Sequence, residues 1–220
     1  MAEPFTTLRG AAAPLLRPNI DTDTISPGSR AAGSKTATAF YERGSATLAA
    51  DLFGNWRYAE SGDEDPEFVL NRSEFREAKI LLAGRNFGCG SARESAVWML
   101  REWGLRCLVA PSFGEIFYGS CFRNGVLPVI LDEGTIDQLA REARPGAPSA
   151  IFEVDLPNGV IRAPSGAEVR FELARIRRDA LLTGRDEIEQ TLARSGDITR
   201  FESAAAATFP WLYRASRSPV

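Results

Sequence analysis

The chain has 220 residues, of which 44% are hydrophobic and 25% charged, and its formal net charge is −3. These values are ordinary for a soluble globular protein, and no apolar run reaches the ~18 residues of a transmembrane helix. The small acidic excess gives no indication of a nucleic-acid partner. The amino terminus lacks the charged, apolar and cleavage regions of a secretory signal, so we expect a cytoplasmic protein with residues 1–220 in a single domain.

The chain has three cysteines, Cys89, Cys107 and Cys121, and no histidine. Three separated cysteines without a CxxC pair are not typical of a disulfide framework, a zinc site or a self-contained iron–sulfur site. We expect reduced, buried thiols, no metal ligands and no cofactor bound by this chain itself. Without imidazole, a general base must be another side chain or come from a partner.

The amino-terminal third contains few periodic patterns. Residues 4–27 predict short strands and turns, residues 28–35 a loop, and residues 38–56 one or two helices. The centre then alternates between short apolar runs and helical periodicity, which is typical of a parallel α/β unit. We predict strands at 78–83, 106–110 and 126–131 and helices at 91–104 and 113–122.

The last third has a different pattern. A helix is predicted at 135–144, followed by a hairpin of strands 151–156 and 160–163 around Pro157-Asn158-Gly159. A strand is predicted at 169–173 and a helix at 179–192, interrupted near Gly184. A carboxyl-terminal helix and a loose tail occupy about residues 200–220.

The glycine-rich segment 84–94 (GRNFGCGSARE) lies between a predicted strand and a predicted helix. Ser91 is a suitable N-cap, and Glu94, three residues on, completes a capping-box pattern. Free N–H groups and the dipole at a helix start favour an anion, and Arg93 could grip a carboxylate with two hydrogen bonds. The alternative is that Ser91 only caps the helix and Arg93 lies in solvent. The glycine spacing matches neither GxGxxG nor a P-loop.

This segment resembles the NFGxGSSREHA signature of the 3-isopropylmalate dehydratase small subunits and their aconitase relatives. Five further segments resemble motifs of that family in the same order along the chain. They are 19–23 (family NIDTD), 66–71 (PDFVLN), 111–117 (APSFADIF), 124–128 (NGLLP) and 180–188 (LLEGLDDI). The resemblance implies an aconitase-like swivelling α/β domain, in which a parallel βαβ unit is part of a barrel-like β/β/α arrangement.

The resemblance also implies an activity. The chain would be the small subunit of a hydro-lyase that isomerises 2-isopropylmalate and 3-isopropylmalate by dehydration and rehydration, in leucine biosynthesis. A large partner subunit would hold a 4Fe–4S cluster, and this chain, inactive alone, would complete the active site. The small carboxylic-acid substrate and that subunit are its expected partners, with neither nucleic acid nor membrane.

By the family pattern, Ser91 would be the base that removes the proton beside a carboxylate. Arg93 would bind the substrate, together with Gly90 and Ala92. A serine alkoxide is a costly base, which the helix start and the guanidinium would have to stabilise.

Two further segments carry expected substrate contacts. Asp21, Thr22 and Asp23 correspond to a loop facing the site, or alternatively form a turn that only shapes the backbone. Arg30 lies in the segment where the family has its substrate-selecting loop, and could meet a second carboxylate or lie in solvent.

Three positions depart from the family pattern: Ala92 replaces a serine, Ser95 a histidine and Ser26 an isoleucine. These changes leave two alternatives open: a related hydro-lyase subunit acting on a dimethylmalate-type or citrate-like acid, and a non-catalytic carboxylate-binding or scaffold partner. Retention of Ser91 and Arg93 argues against the second alternative.

Overall fold

The computed structural model describes residues 3–27, 45–143 and 150–213. Arg30 and the predicted loop 28–35 lie outside these residues. The chain divides into two compact units, the first ending at Gly184 and the second beginning at Arg185. One domain over residues 1–220 stays a prediction.

The first unit is built on a seven-stranded mixed sheet of the described residues. The strands are β1 Thr7–Leu15, β2 Ile80–Ala83, β3 Cys107–Ala110, β4 Leu127–Ile130, β5 Ile151–Asp155, β6 Val160–Arg162 and β7 Glu168–Arg170. They lie in the order β4-β3-β2-β1-β5-β6-β7. Strands β4, β3, β2 and β1 pair in parallel, whereas β1, β5, β6 and β7 pair antiparallel, so β1 joins a parallel half to an antiparallel half.

Seven helices of the described residues connect or cover these strands in the first unit, two of them as one short turn. They are α1 Thr22–Ile25, α2 Ser45–Asp51, α3 Gly54–Arg57, α4 Glu94–Trp103, α5 Glu115–Arg123, α6 Glu133–Glu142 and α7 Arg175–Thr183. A single 3-10 turn, Val69–Asn71, precedes β2.

Both faces of the parallel half are buried, which is why β2 and β3 are continuous apolar runs. On one face Leu81 and Leu108 share a hydrophobic cluster with Val97 of α4. The other face forms a second cluster, in which Leu82 of β2 and Ile136 of α6 join Phe152 of β5. Because antiparallel strands and the parallel half share this second cluster, the sheet curls around it, in agreement with the predicted swivelling α/β fold.

The strands predicted at 78–83, 106–110 and 126–131, the hairpin and the break at Gly184 are confirmed, the last by a left-handed Gly184 that ends α7. The strand predicted at 169–173 is instead Glu168–Arg170, and the helix predicted from residue 179 begins at Arg175. The start of the helix predicted at 91–104 is also wrong. Helix α4 begins at Glu94 and not at Ser91, because Gly88 and Gly90 have positive φ and Arg93 is extended at φ −133° and ψ 109°. Helix α4 ends, as predicted, at a left-handed Gly104.

The second unit is helical over its described part. Helix α8, Glu187–Leu192, begins with a capping box made by Asp186 and Glu189, and is followed by α9, Ser195–Thr208, and a 3-10 turn, Pro210–Leu212. None of the residues in these three elements is buried. Across both units, no helix of the described residues has the length and apolar character to cross a membrane.

Candidate active site

Two loops meet where parallel strands β1 and β2 end. The backbone N–H of Asn19 donates to the Arg85 carbonyl at 2.8 Å, that of Gly88 to Ile20 at 2.7 Å, and that of Thr22 to Cys89 at 3.0 Å. Segments 19–23 and 84–94 are thus bound to each other along their backbones, although they are far apart in the sequence. Carboxyl ends of parallel strands are a frequent location for ligand sites in α/β proteins.

Glycines allow the segment 84–94 to pack closely against the start of α5. A Cβ on Gly88 would lie 2.2 Å from Phe117 Cγ, and a Cβ on Gly114 would lie 2.4 Å from the Gly88 carbonyl oxygen. Gly88 and Gly90 also have φ of +70° and +85°, which favours glycine. Gly90, one of the predicted substrate-binding positions, faces the Asp21 side chain.

Ser91 is exposed and precedes helix α4 by three residues. The predicted N-cap and capping box at Ser91 are wrong, because Arg93 is the N-cap residue and no side chain caps the helix. Instead, the Thr22 hydroxyl donates to the Ser91 carbonyl at 2.6 Å, with Thr22 itself buried. The backbone of Ser91 is therefore held by α1, and its hydroxyl is not used as a helix cap.

Arg93 forms an ion pair with Asp23, in which both side chains are about half exposed. An exposed pair of this kind contributes little free energy, so a bound carboxylate could replace Asp23 on the guanidinium. Ala92 is exposed between Ser91 and Arg93. The structure thus brings Ser91, Ala92, Arg93 and Asp23 to one surface.

Asp21 is the N-cap of α1, and its Oδ1 accepts from the Thr24 N–H at 2.7 Å. The hydrogen bonds from Thr24, with a smaller effect of the Arg93 charge, lower the pKa of Asp21. The turn that the sequence left open as an alternative is therefore present. Within the same segment, however, Asp23 is exposed and paired with Arg93, which places it at the site.

Sequence reasoning missed Asn19 and Asn86. Both have left-handed backbones, at φ 56° and 59°, and the Asn86 amide donates to Asn19 Oδ1 at 2.8 Å. Asparagine tolerates this conformation better than other non-glycine residues, so its presence in both motifs was an available signal. The pair joins the two loops on the side of the strand ends.

The resulting surface presents one hydroxyl, one guanidinium and carboxylates to solvent. Such a set can bind an anionic small molecule and move one proton, if a second surface excludes water. Within the described residues, no three His, Cys, Asp or Glu side chains are grouped so that they could hold a metal ion.

This fold, with the candidate site at the ends of β1 and β2, is that of an aconitase-type swivelling domain. The family model of the Aconitase C-terminal domain matches residues 2–134. A solved structure titled 3-isopropylmalate dehydratase, from Methanocaldococcus jannaschii, has the same fold, with a TM-score of 0.60 and 23% identity over 87% of this chain and 99% of that one.

Relatives among curated proteins are more similar in sequence. The 3-isopropylmalate dehydratase small subunit of Paramagnetospirillum magneticum is 44% identical over 96% of this chain and 100% of its own length. That of Rhodospirillum rubrum is 44% identical over 96% of this chain and 97% of its own. The chain belongs to the 3-isopropylmalate dehydratase small-subunit family.

Proposed function

We propose that this chain is the small subunit of a two-subunit hydro-lyase that interconverts 2-isopropylmalate and 3-isopropylmalate by dehydration and rehydration. The observation that carries the proposal is the surface shared by Ser91 and Arg93, an exposed hydroxyl two residues from a displaceable guanidinium. The names of the relatives support the substrate. The pathway is then leucine biosynthesis, in the cytoplasm.

In this proposal the guanidinium of Arg93 leaves Asp23 and binds a substrate carboxylate with two hydrogen bonds. The start of α4, which has no side-chain cap, adds partial positive charge nearby. Gly90 and Ala92 let the substrate approach the backbone on either side of Ser91. Asp21 and Thr22 keep α1 against this segment, since Asp21 caps α1 and Thr22 binds the Ser91 carbonyl.

Ser91 then takes the proton from the carbon next to the carboxylate and returns one in the reverse direction. Its alkoxide form is too unstable in water, and Ser91 is exposed on this chain. Exclusion of water by a partner would strengthen the attraction between the alkoxide and Arg93. This requirement explains why we expect the chain to be inactive alone.

The partner is proposed to be a large subunit that holds a 4Fe–4S cluster. The cluster would supply a Lewis acid for the substrate hydroxyl. A hydroxyl and a guanidinium are hydrogen-bond donors to a carboxylate, and neither is a typical ligand of cluster iron. Ser91 and Arg93 are therefore proposed to contact the substrate and not the cluster. Arg30, outside the described residues, is proposed as a contact for a second carboxylate.

The test is an anaerobic isomerisation assay of the chain co-purified with its large subunit. Isopropylmalate, dimethylmalate and citrate are compared as substrates. Ser91→Ala should lower kcat by about 10²–10⁴-fold with KM little changed, because it removes a general base. Arg93→Lys should mainly raise KM, since lysine cannot bind a carboxylate in the same two-bond geometry.

The control is Ser73→Ala, another exposed serine, which donates to Glu74 in a loop before β2. It should keep wild-type activity. If the complex converts dimethylmalate or citrate and not isopropylmalate, the proposed mechanism stands but the proposed substrate is wrong. These acids are included because Ala92 and Ser95 depart from the family pattern. Wild-type kcat in Ser91→Ala would contradict the assignment of Ser91, and no turnover with an intact cluster would favour a binding or scaffold role.

A further inference from the structure

Two of the three positions that depart from the family pattern touch each other. Ser26 Oγ and Ser95 Oγ lie 2.9 Å apart and share a hydrogen bond, although 69 residues separate them. Ser26 is 1% exposed and Ser95 is half-buried. A pattern that has isoleucine at one position and histidine at the other thus has two hydroxyls here, paired with each other.

The pair joins the two elements that carry the site. Ser26 is the residue after α1, and its N–H donates to the Thr22 carbonyl at 2.9 Å. Ser95 is the second residue of α4, two positions after Arg93. The Ser26–Ser95 bond therefore lies beside two other links between the same segments, the Thr22 hydroxyl on Ser91 and the Arg93–Asp23 ion pair.

The shared hydrogen bond makes the two positions interdependent. Removing the Ser95 hydroxyl would leave the buried Ser26 hydroxyl without this bond, which is costly for a group that is only 1% exposed. Removing the Ser26 hydroxyl would break the same bond from the side of α4.

We propose that Ser26 and Ser95 are a coupled pair of positioning residues for the substrate-binding arginine. Their bond sets the separation of α1 and α4, and hence the position of the Arg93 guanidinium relative to Asp23 and Ser91. This inference rests on the proposed function in taking Arg93 as the group that binds a substrate carboxylate. It adds two residues that touch no substrate and act through Arg93.

The first experiment is a double-mutant cycle in the complex with the large subunit. Ser26→Ala and Ser95→Ala should each raise KM for isopropylmalate about three- to tenfold with a smaller change in kcat, which corresponds to one lost hydrogen bond. The double variant should be no worse than the worse single variant, because both changes remove the same bond. Ser95→Thr should retain most of the wild-type KM, and Ser73→Ala is again the matched control.

A purely structural role predicts a different result. It would reduce the active fraction, and therefore kcat, without moving KM. Unchanged KM in both single variants, or a double variant whose effect is the product of the single effects, would overturn the proposal.

The second experiment needs no turnover. Phenylglyoxal modification of Arg93 is followed by peptide mass analysis on the purified full chain. Either alanine variant should speed modification about two- to tenfold, because a looser Asp23–Arg93 pair leaves the guanidinium more reactive, and the double variant should match the single ones.

The two readouts separate the two proposals. A wild-type complex that converts no acid, together with coupled changes in Arg93 modification, would reject the proposed function and retain the positioning pair. A complex that converts isopropylmalate, with Arg93 modified at the same rate in all variants, would reject the positioning pair and retain the proposed function.

Discussion

At the scale of single residues, the site contains a thiol that its surroundings keep protonated. Cys89 is partly buried, and its carbonyl accepts the N–H of Thr22. Burial, and then the negative charge of Asp21, raise the pKa of the Cys89 thiol above its ordinary value. A thiol in this state is mostly protonated near neutral pH and is a poor nucleophile there.

Alkylation of the full chain by iodoacetamide tests this electrostatic environment. Among the three cysteines only Cys89 should react, because burial raises the pKa of the Cys107 and Cys121 thiols far above the ordinary value. The rate at Cys89 follows the thiolate fraction and should still be rising with pH above about 8.5, the pKa of a free thiol, before it levels off. Asp21→Asn should move this rise to lower pH, since it removes a negative charge that disfavours the thiolate.

Asparagine is as good an N-cap as aspartate, so the variant should keep α1 folded. Asp132→Asn, at the N-cap of α6, is the matched control and should leave the profile unchanged. An unshifted profile in Asp21→Asn, or a rate at Cys89 that levels off below about pH 8.5, would contradict the assigned causes.

The residues of the candidate site could be predicted from sequence better than their local roles. The sequence predicts Ser91 and Arg93 as site residues, yet it also predicts a helix cap at Ser91 because Ser-x-x-Glu is a local pattern. The structure uses Ser91 differently, since Thr22 holds its carbonyl from another part of the chain. The Ser26–Ser95 contact could not be found in the same way, because no local rule relates residues 69 positions apart.

At the scale of elements, the loop between β2 and α4 depends on two glycines for different reasons. Gly90 needs only a positive φ, since a Cβ there would meet its nearest neighbour at an ordinary 3.4 Å. Gly88 needs both a positive φ and space, because a Cβ would overlap Phe117. Phe117 packs edge-on against Phe87, so it has no free direction in which to move.

Three glycine-to-alanine variants separate these effects in urea unfolding. Gly88→Ala should lower the free energy of unfolding by about 2–4 kcal/mol, from backbone strain and overpacking together. Gly62→Ala, at φ +90° with no atom within 4 Å of the new Cβ, should lower it by only about 1 kcal/mol. Gly119→Ala, inside α5 with nothing nearby, should raise it by up to about 1 kcal/mol. If Gly88→Ala and Gly62→Ala lower the free energy of unfolding equally, the Phe117 ring moves aside for the new Cβ and overpacking contributes nothing.

The elements themselves were predictable where burial is strongest. Strands β2, β3 and β4 are short apolar runs because they lie between two covered faces. Strand β1 was expected only as short strands and turns, yet it has nine residues and the most central role in the sheet. Its Gly10 and Arg9 weaken the local pattern, and its pairing with both β2 and β5 is a long-range property that periodicity does not encode.

At the scale of the whole molecule, the carboxyl edge of the parallel strands carries an apolar rim beside the candidate site. We define this rim as Leu16, Ile116 and Ile130, which are 40%, 61% and 52% exposed. Leu16 follows β1, Ile116 is the second residue of α5 after β3, and Ile130 ends β4. The proposed function requires a partner to exclude water at this edge, so the same partner should cover the rim.

Ile116→Asp should therefore weaken binding of the large subunit by at least about tenfold, because it places a charge in a buried apolar contact. Ile176→Asp is the matched control, since Ile176 is equally exposed at 59% but lies on α7 and not on the rim. Binding is measured anaerobically with the immobilised large subunit, and urea unfolding verifies that both variants fold. If Ile116→Asp binds like the wild type while Ile176→Asp binds weakly, the partner covers another face and Ser91 must be enclosed in another way. If only Ile116→Asp binds weakly, the rim and the site form one interface, which explains how an exposed serine could become a base only in the assembled enzyme.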